Sequence, residues 1–244
     1  MKKLMSLLLV VMIVLGCASL ASAETRYAVD NGVIRFKADR SATYVVAKGG
    51  ESFHYATQKG EEVVLPLPYG KGTYSIKECV RKGGNTYTVI ATKKIKYKGD
   101  ELGAFKVSSS IIPFSPENAA VKLALELTAG VNGEREKVKE IYAFVRNSFT
   151  YDYFKADRVR DSVRYGVDID ATLTERSGVC YDLSALMVAM IRSAGVPARL
   201  EIGDGHAWLS VYVADSWNPI DPAYRVQTGK SLNPSFAYEA EEVY

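Results

Sequence analysis

The chain has little histidine, no surplus of either charge, no apolar run long enough to cross a bilayer as a helix, and no internal repeat or low-complexity segment. Its 31 Lys and Arg against 28 Asp and Glu give a formal charge of +3, and removing Lys2 and Lys3 at the extreme N-terminus lowers it to +1. No basic surplus is left to follow a phosphate backbone, so nucleic acid is not an expected partner. The longest apolar run, Leu4 to Leu15, falls short of the roughly 20 residues that a transmembrane helix needs. Two lysines precede it and Ala21, Ser22 and Ala23 follow, which is the pattern of an export signal over residues 1–23 with cleavage after Ala23. The 244 residues suit one large domain or two small ones, and a hydrophobic content of 48% is enough for a real core.

Cysteine is also scarce, with only Cys17, Cys79 and Cys180. An exported chain normally pairs its thiols or avoids them. Once the leader is removed Cys79 and Cys180 remain, and a single disulfide between them is one reading. Cys17 has its own alternative, because "VLGC" is similar to a bacterial lipobox and would make Cys17 a lipidated first residue. A membrane enters only on that second reading. Either way the expected location is outside the cytosol, secreted or at the cell surface.

The texture of the chain changes once, near Ile111. From Tyr27 to Lys98 there are short runs rich in Val, Ile, Thr and Tyr ("GVIRFKA", "TYVVAK", "SFHYAT", "EEVVLPL", "TYSIKECV", "TYTVIATKKIKY"), separated by Gly turns, of which "RKGGNTY" is the clearest hairpin. Residues 24–110 are therefore expected to form a small β-sandwich of the immunoglobulin-like kind. His54 stands in an alternating strand with no acid partner nearby and reads as structural or surface; Lys93 to Lys98 reads as a solvated strand face. Beyond Ile111 the period becomes helical, and residues 111–244 are expected to form the second domain. Ser115 as cap and Pro116 in the first turn start one helix, running to about Ala129. Val138, Ile141, Tyr142 and Val145 form the stripe of a second, starting at Asn132 or Gly133 with Glu134 and Glu136 in its first turn. The polar stretch "DYFKADRVRDSVRYGVDIDATLTERSG" is long for a connection and reads as a loop lying over something.

"RSGVCYDLSALMVAMIRSAGVPAR" carries the chemistry. Leu183, Leu186, Met187, Met190 and Ile191 make one apolar helical stripe, ended by Gly195 and Pro197, so Cys180 falls in the first turn with Ser177 or Gly178 as the cap. Free backbone N–H groups and the positive end of the helix dipole at that position favour a thiolate and can later hold an oxyanion. A small buried cysteine is the plainer reading of Cys180 taken alone. A thiolate needs a base, and His206 in "GDGHAWLSVYVADSWNPIDP" offers one. Alternation puts His206, Trp208, Ser210 and Tyr212 on one strand face. With a hairpin turn near Ala214 and Asp215, Trp208 lies opposite about Asp221, which becomes a diagonal neighbour of His206; a slip of one residue would undo this. Asp221 could then orient the imidazole and stabilise its protonated form.

Cys180 in its helix block, His206 in "GHAWLSVYV" and Asp221 in "WNPIDP" resemble the three signature blocks of the transglutaminase-like superfamily, over about Ser115 to Tyr224. The resemblance implies an α+β fold with a papain-like, transglutaminase-like core, in which a cysteine helix packs on an antiparallel sheet. It also implies a Cys180, His206, Asp221 catalytic triad. "HAWLSV" departs from the Asn and acidic residue that many members carry after the Trp, which weakens subfamily assignment only. Nothing corresponds to the calcium sites of animal transglutaminases, and neither cofactor nor metal is expected. Trp208 and Trp217 read as wall and core, or as lining of an acyl-donor groove; Asp182 and Arg176 as cap and surface charge; Tyr151 or Tyr153 as an extra oxyanion donor. The implied activity is that of an exported thiol acyl-transfer enzyme acting on a peptide or glutamine-type carboxamide through a Cys180 thioester, with hydrolysis slightly favoured over amine crosslinking. Its substrate would be a protein or peptide, of the cell surface or cell wall. The alternative is a surface binding module that keeps the fold without significant catalysis.

Overall fold

A computed structural model describes residues 27–84, 86–159, 166–229 and 239–244. The expected leader and Cys17, Asn85 of the "RKGGNTY" turn, and residues 160–165 of the expected loop lie outside the described residues. The first half is built of seven strands: β1 (Ala28–Asp30), β2 (Val33–Lys37), β3 (Ala42–Lys48), β4 (Glu51–Thr57), β5 (Glu62–Pro66), β6 (Gly72–Gly83) and β7 (Thr86–Tyr97). They form two antiparallel sheets, ordered β1-β2-β5 and β4-β3-β6-β7. Alternate residues point inward, Ile34, Phe36, Val63 and Leu65 from one sheet and Tyr44, Val46, Phe53, Tyr74 and Ile76 from the other, all buried. Phe36 and Tyr44 meet across the gap with ring centroids 4.6 Å apart. Each expected run became a strand, and the "RKGGNTY" turn does join β6 to β7.

The second half is mixed. Helices α1 (Ala119–Leu127) and α2 (Glu134–Ser148) lead to a short strand β8 (Thr150–Tyr151), then α3 (Tyr153–Val159), α4 (Ile169–Glu175), strand β9 (Ser177–Gly178) and helix α5 (Cys180–Ser193). After α5 come β10 (Ala198–Gly203), β11 (His206–Val213), β12 (Ser216–Ile220), α6 (Pro222–Thr228) and β13 (Glu242–Val243). The sheet order is β12-β11-β10-β13, wholly antiparallel, and α5 packs on β10 and β11 with α1, α2, α4 and α6 around it. The fold is thus α+β with a helix laid on an antiparallel sheet.

Two local expectations are corrected and one is extended. The first helix starts at Ala119, not Pro116, because Asn118 is its cap and the Asp170 carboxylate of α4 accepts from the Ala119 and Ala120 N–H groups at 3.1 and 2.9 Å. The long polar stretch carries two helices, α3 and α4, where a loop was expected; Asp168 caps α4 by accepting from Asp170 and Ala171. The α5 stripe is buried as expected, and so is the rest of the helix: every residue from Asp182 to Arg192 is buried, since the helix is covered on all sides. At about 1.5–3 kcal/mol for each fully buried large apolar side chain, Leu183, Leu186, Met187, Met190 and Ile191 make α5 the centre of this half.

Arg192 near the end of α5 is also buried, and its guanidinium donates to the carbonyls of Ala198, Val107 and Tyr244 at 2.8, 3.0 and 2.9 Å. These bonds tie α5 to the sheet and to the segment that follows β7. Tyr244 packs its ring on Phe53 of β4 at 5.2 Å, and Phe105 packs on Trp217 of β12 at 5.0 Å. Buried apolar residues of both halves accordingly form one continuous cluster. His54, read as lacking an acid partner, has one brought from far along the chain: its Nδ1 lies 3.8 Å from Glu242 Oε1. Cys79 is buried in β6 and Cys180 heads α5; both are free thiols, so the disulfide reading does not hold.

Candidate active site

Cys180 is the first residue of α5, half-buried, and the N-cap is Val179, not Ser177 or Gly178. Valine has no side-chain acceptor, so the end of the helix is satisfied from the other direction. Asp182, at the third helical position, turns its Oδ2 back to accept the Val179 N–H at 3.0 Å, the reciprocal half of a capping box. The same oxygen meets Lys155 Nζ of α3 at 2.8 Å, and Asp182 is 1% exposed. Glycine is needed at 178, where a Cβ would come within 2.8 Å of the Asp182 Cβ. Asp182 is therefore not surface charge. Arg176 caps α4 in the left-handed region and lies over the rings of Phe144 and Phe149 at 4.7 and 5.4 Å, a cation–π position.

Two tight turns bring the other residues to Cys180. Asp204 and Gly205 have φ of 49° and 72°, and link β10 to β11 with Gly203 paired to His206. Ala214 and Asp215, at 55° and 59°, link β11 to β12 with Val213 paired to Ser216. Pairing Leu209 with Ile220 carries Asp221 to the position opposite Trp208, diagonal to His206, as the alternation and the turn position predict. His206 Nε2 and Asp221 Oδ2 are 2.7 Å apart. Asp221 is 2% exposed and both its oxygens are engaged, because Oδ1 accepts the Tyr224 N–H at 2.9 Å as the N-cap of α6, with Pro222 in the first turn.

With Nε2 given to Asp221, Nδ1 is the ring nitrogen left for the Cys180 thiol, which lies close enough to act on the imidazole. Burial by itself lowers the imidazole's basicity. Hydrogen bonds and charges of Asp221 and Cys180 override burial and push His206 up from 6.5 to about 10, so the ring is an imidazolium at neutral pH. Trp208 is buried and its ring lies 6.2 Å from that of His206 at 23°, forming the wall beneath the imidazole. Trp217 is elsewhere, packed among Phe105, Tyr212 and Arg199, and does not line the site.

Tyr151 completes the surroundings of the thiol. Strand β8 runs parallel to β9, pairing Tyr151 with Gly178, and this brings the phenol close to Cys180. Burial raises the phenol above its ordinary value, and the neighbouring Cys180 charge adds to this, so Tyr151 keeps its proton and is a donor. Tyr153 packs edge-on against Tyr151 at 5.0 Å but points outward, 62% exposed. Cys180, His206, Asp221 and Tyr151 are therefore brought together, and Tyr153 and Trp217 are not. Such a group can move a proton between sulfur and Nδ1, and offers two donors, the Cys180 N–H and the Tyr151 hydroxyl, to one oxygen.

Residues 121–222, which contain all three of Cys180, His206 and Asp221, match the model of the transglutaminase-like superfamily core. YebA of Bacillus subtilis strain 168 is 27% identical over 179 residues, spanning 59% of this chain and 24% of that protein. The chain thus covers about a quarter of that relative's length. Among solved structures, a proposed cysteine protease from Cytophaga hutchinsonii is 15% identical with a TM-score of 0.43, covering 78% of this chain and 74% of that one. The periplasmic domain of TgpA from Pseudomonas aeruginosa is 14% identical with a TM-score of 0.38, covering 83% and 75% of the respective chains.

Proposed function

We propose that this protein is an exported thiol acyl-transfer enzyme that forms a thioester on Cys180. The observation that carries the reading is His206, held at 2.7 Å by the buried carboxylate of Asp221 on one nitrogen, with the Cys180 side chain close enough to act on the same ring. In the first half-reaction the Cys180 sulfur attacks the carbonyl carbon of a peptide or carboxamide, and the carbonyl electron pair moves to oxygen. The Cys180 N–H and the Tyr151 hydroxyl stabilise that oxyanion. As the tetrahedral adduct collapses, the C–N bond breaks, His206 Nδ1 gives its proton to the leaving amine, and the acyl group stays on sulfur. In the second half-reaction the neutral imidazole takes a proton from the acceptor, which attacks the thioester and releases the thiolate. Asp221 orients the ring throughout and balances its charge.

Water or a lysine amine could serve as acceptor, and the choice depends on how far the site excludes water. The His206 side chain is 34% exposed and Cys180 only half-buried, which favours water and hence hydrolysis of peptides or amides. Export rests on the leader pattern of residues 1–23. Incubating the secreted protein with casein and a primary amine, and reading products by mass spectrometry, tests both parts. Cleaved casein and a mature chain beginning at Glu24 are expected. Amine incorporation without cleavage would make it a crosslinker, a diacylglyceryl group on Cys17 would make it a lipoprotein, and no product in either assay would leave a binding module.

A further inference from the structure

The segment that carries Tyr151 is fastened to the head of α5 at two points. At one, the two-residue strands β8 and β9 exchange backbone bonds, Thr150 N–H to Arg176 O at 2.9 Å and Asp152 N–H to Gly178 O at 3.1 Å. At the other, Lys155 Nζ meets Asp182 Oδ2 at 2.8 Å. Tyr151 and Cys180 lie between these points. The ladder alone is too short to hold a strand firmly. Helix α3, which follows it, has no fully buried side chain, so little apolar packing among the described residues secures that end. The ion pair there is set in a dry environment: Asp182 is 2% exposed at its side chain and Lys155 28%, and a pair shielded from water holds its geometry better than a surface pair. Its carboxylate is also the group that closes the N-terminus of α5 at Val179.

We propose that Lys155 is a positioning residue for the acyl-transfer reaction, acting through Tyr151: by anchoring α3 to Asp182 it holds the Tyr151 hydroxyl where the oxyanion develops. The role rests on the thiol acyl-transfer reading above. Acylation of Cys180 by p-nitrophenyl acetate builds an oxyanion, whereas alkylation by iodoacetamide does not, so the two probes separate an effect on Tyr151 from an effect on the thiol. Removing one oxyanion donor costs on the order of 100-fold in rate. Tyr151→Phe should slow acylation by about that factor. Lys155→Met should slow it by roughly 10- to 30-fold while leaving Cys180 alkylation at pH 7 within about threefold, and Lys155→Arg should recover most of the acylation rate. In the double variant Lys155→Met with Tyr151→Phe, acylation should be no slower than in Tyr151→Phe alone.

Full additivity in the double variant, a parallel loss of alkylation, or wild-type acylation in Lys155→Met would each overturn the role while leaving the thiol chemistry standing. Wild-type protein that reacts with neither probe would instead remove the acyl-transfer reading itself. Should Lys155→Met fail to fold, Asp182→Asn keeps an acceptor for Val179 and removes the same ion pair. It is expected to show the same Tyr151-dependent loss, and acylation at the wild-type rate would overturn the role.

Discussion

Asp221→Asn separates what this carboxylate does for the fold from what it does for the imidazole. In the native protein Oδ1 caps α6 through the Tyr224 N–H at 2.9 Å, and Oδ2 meets His206 Nε2 at 2.7 Å. Asparagine keeps an oxygen for the cap and turns a neutral NH2 towards the ring. Burial then acts on His206 with only Cys180 opposing it, and the imidazole, held at about 10 in the native protein, should fall by several units. The sign of the stability effect follows from the raised value. A histidine whose folded pKa lies above its unfolded one contributes stability that is complete below the unfolded value of 6.5 and is lost as pH rises through about 10. At about 1.36 kcal/mol per unit, the rise from 6.5 to about 10 sets a ceiling on the order of 5 kcal/mol. Cys180 supplies part of this, and water screens a ring that is 34% exposed, so Asp221→Asn should cost about 2 kcal/mol at pH 6 and little at pH 10. Urea unfolding at the two pH values measures the gap. NMR titration of the ring protons measures the midpoint, with His54 as the second of the chain's two histidines. Turnover should fall by about 10²- to 10⁴-fold, the usual worth of an oriented acid–base. A His206 midpoint still near 10 in the variant, or an equal stability gap at both pH values, would refute the role given to Asp221.

Cys180 should react with iodoacetamide at least about 100-fold faster than Cys79, whose thiol is 3% exposed and pushed up by burial; equal labelling of the two in folded protein would return Cys180 to a packing role. Cys180→Ser should abolish acyl transfer and change the melting temperature by only a few degrees, because the side chain heads α5 without filling its core; retained turnover would exclude the thioester. A fragment beginning at Asp100 should fold with its helical signal intact and be more stable than one beginning at Ile111. The shorter fragment takes the Val107 carbonyl from Arg192 and the Phe105 ring from Trp217, and equal urea midpoints would show that these contacts contribute nothing.

What was legible in the sequence was whatever period and turn chemistry control. Six of the seven strands of the first half, all but β1, stand where the β-branched and aromatic runs are, because alternation and Gly turns are local signals. His206 and Asp221 meet for the same reason: two-residue turns at Asp204–Gly205 and Ala214–Asp215 leave a single register, and the register sets the diagonal. Helix α3 was not legible, since it has no fully buried side chain and no apolar stripe to show. The full burial of α5 was hidden as well, because the number of elements that cover a helix is a property of topology. The acid beside His54 comes from Glu242, which no local pattern could bring near it.

The head of α5 shows why a motif can be read correctly and its supports missed. Ser177 and Gly178 stand where a cap is expected, and the usual preference for Ser or Gly points to them. The chain instead caps with Val179, and this works because Asp182 reaches back to the Val179 N–H. A carboxylate in that place is favourable to the helix dipole but adds buried negative charge close to a thiol that must itself become negative. Lys155 supplies the opposite charge at 2.8 Å, from a helix that has no fully buried side chain. Asp182 could be seen in the sequence as a neighbour of Cys180, but its need for a cation follows only from its burial, and the cation lies 27 positions earlier on a segment read as loop. Nucleophile, base and orienter are recognisable from residue type and spacing because their chemistry fixes both. The residues that hold them in place are chosen by local charge balance and solvent exclusion, and those appear only once the chain is folded.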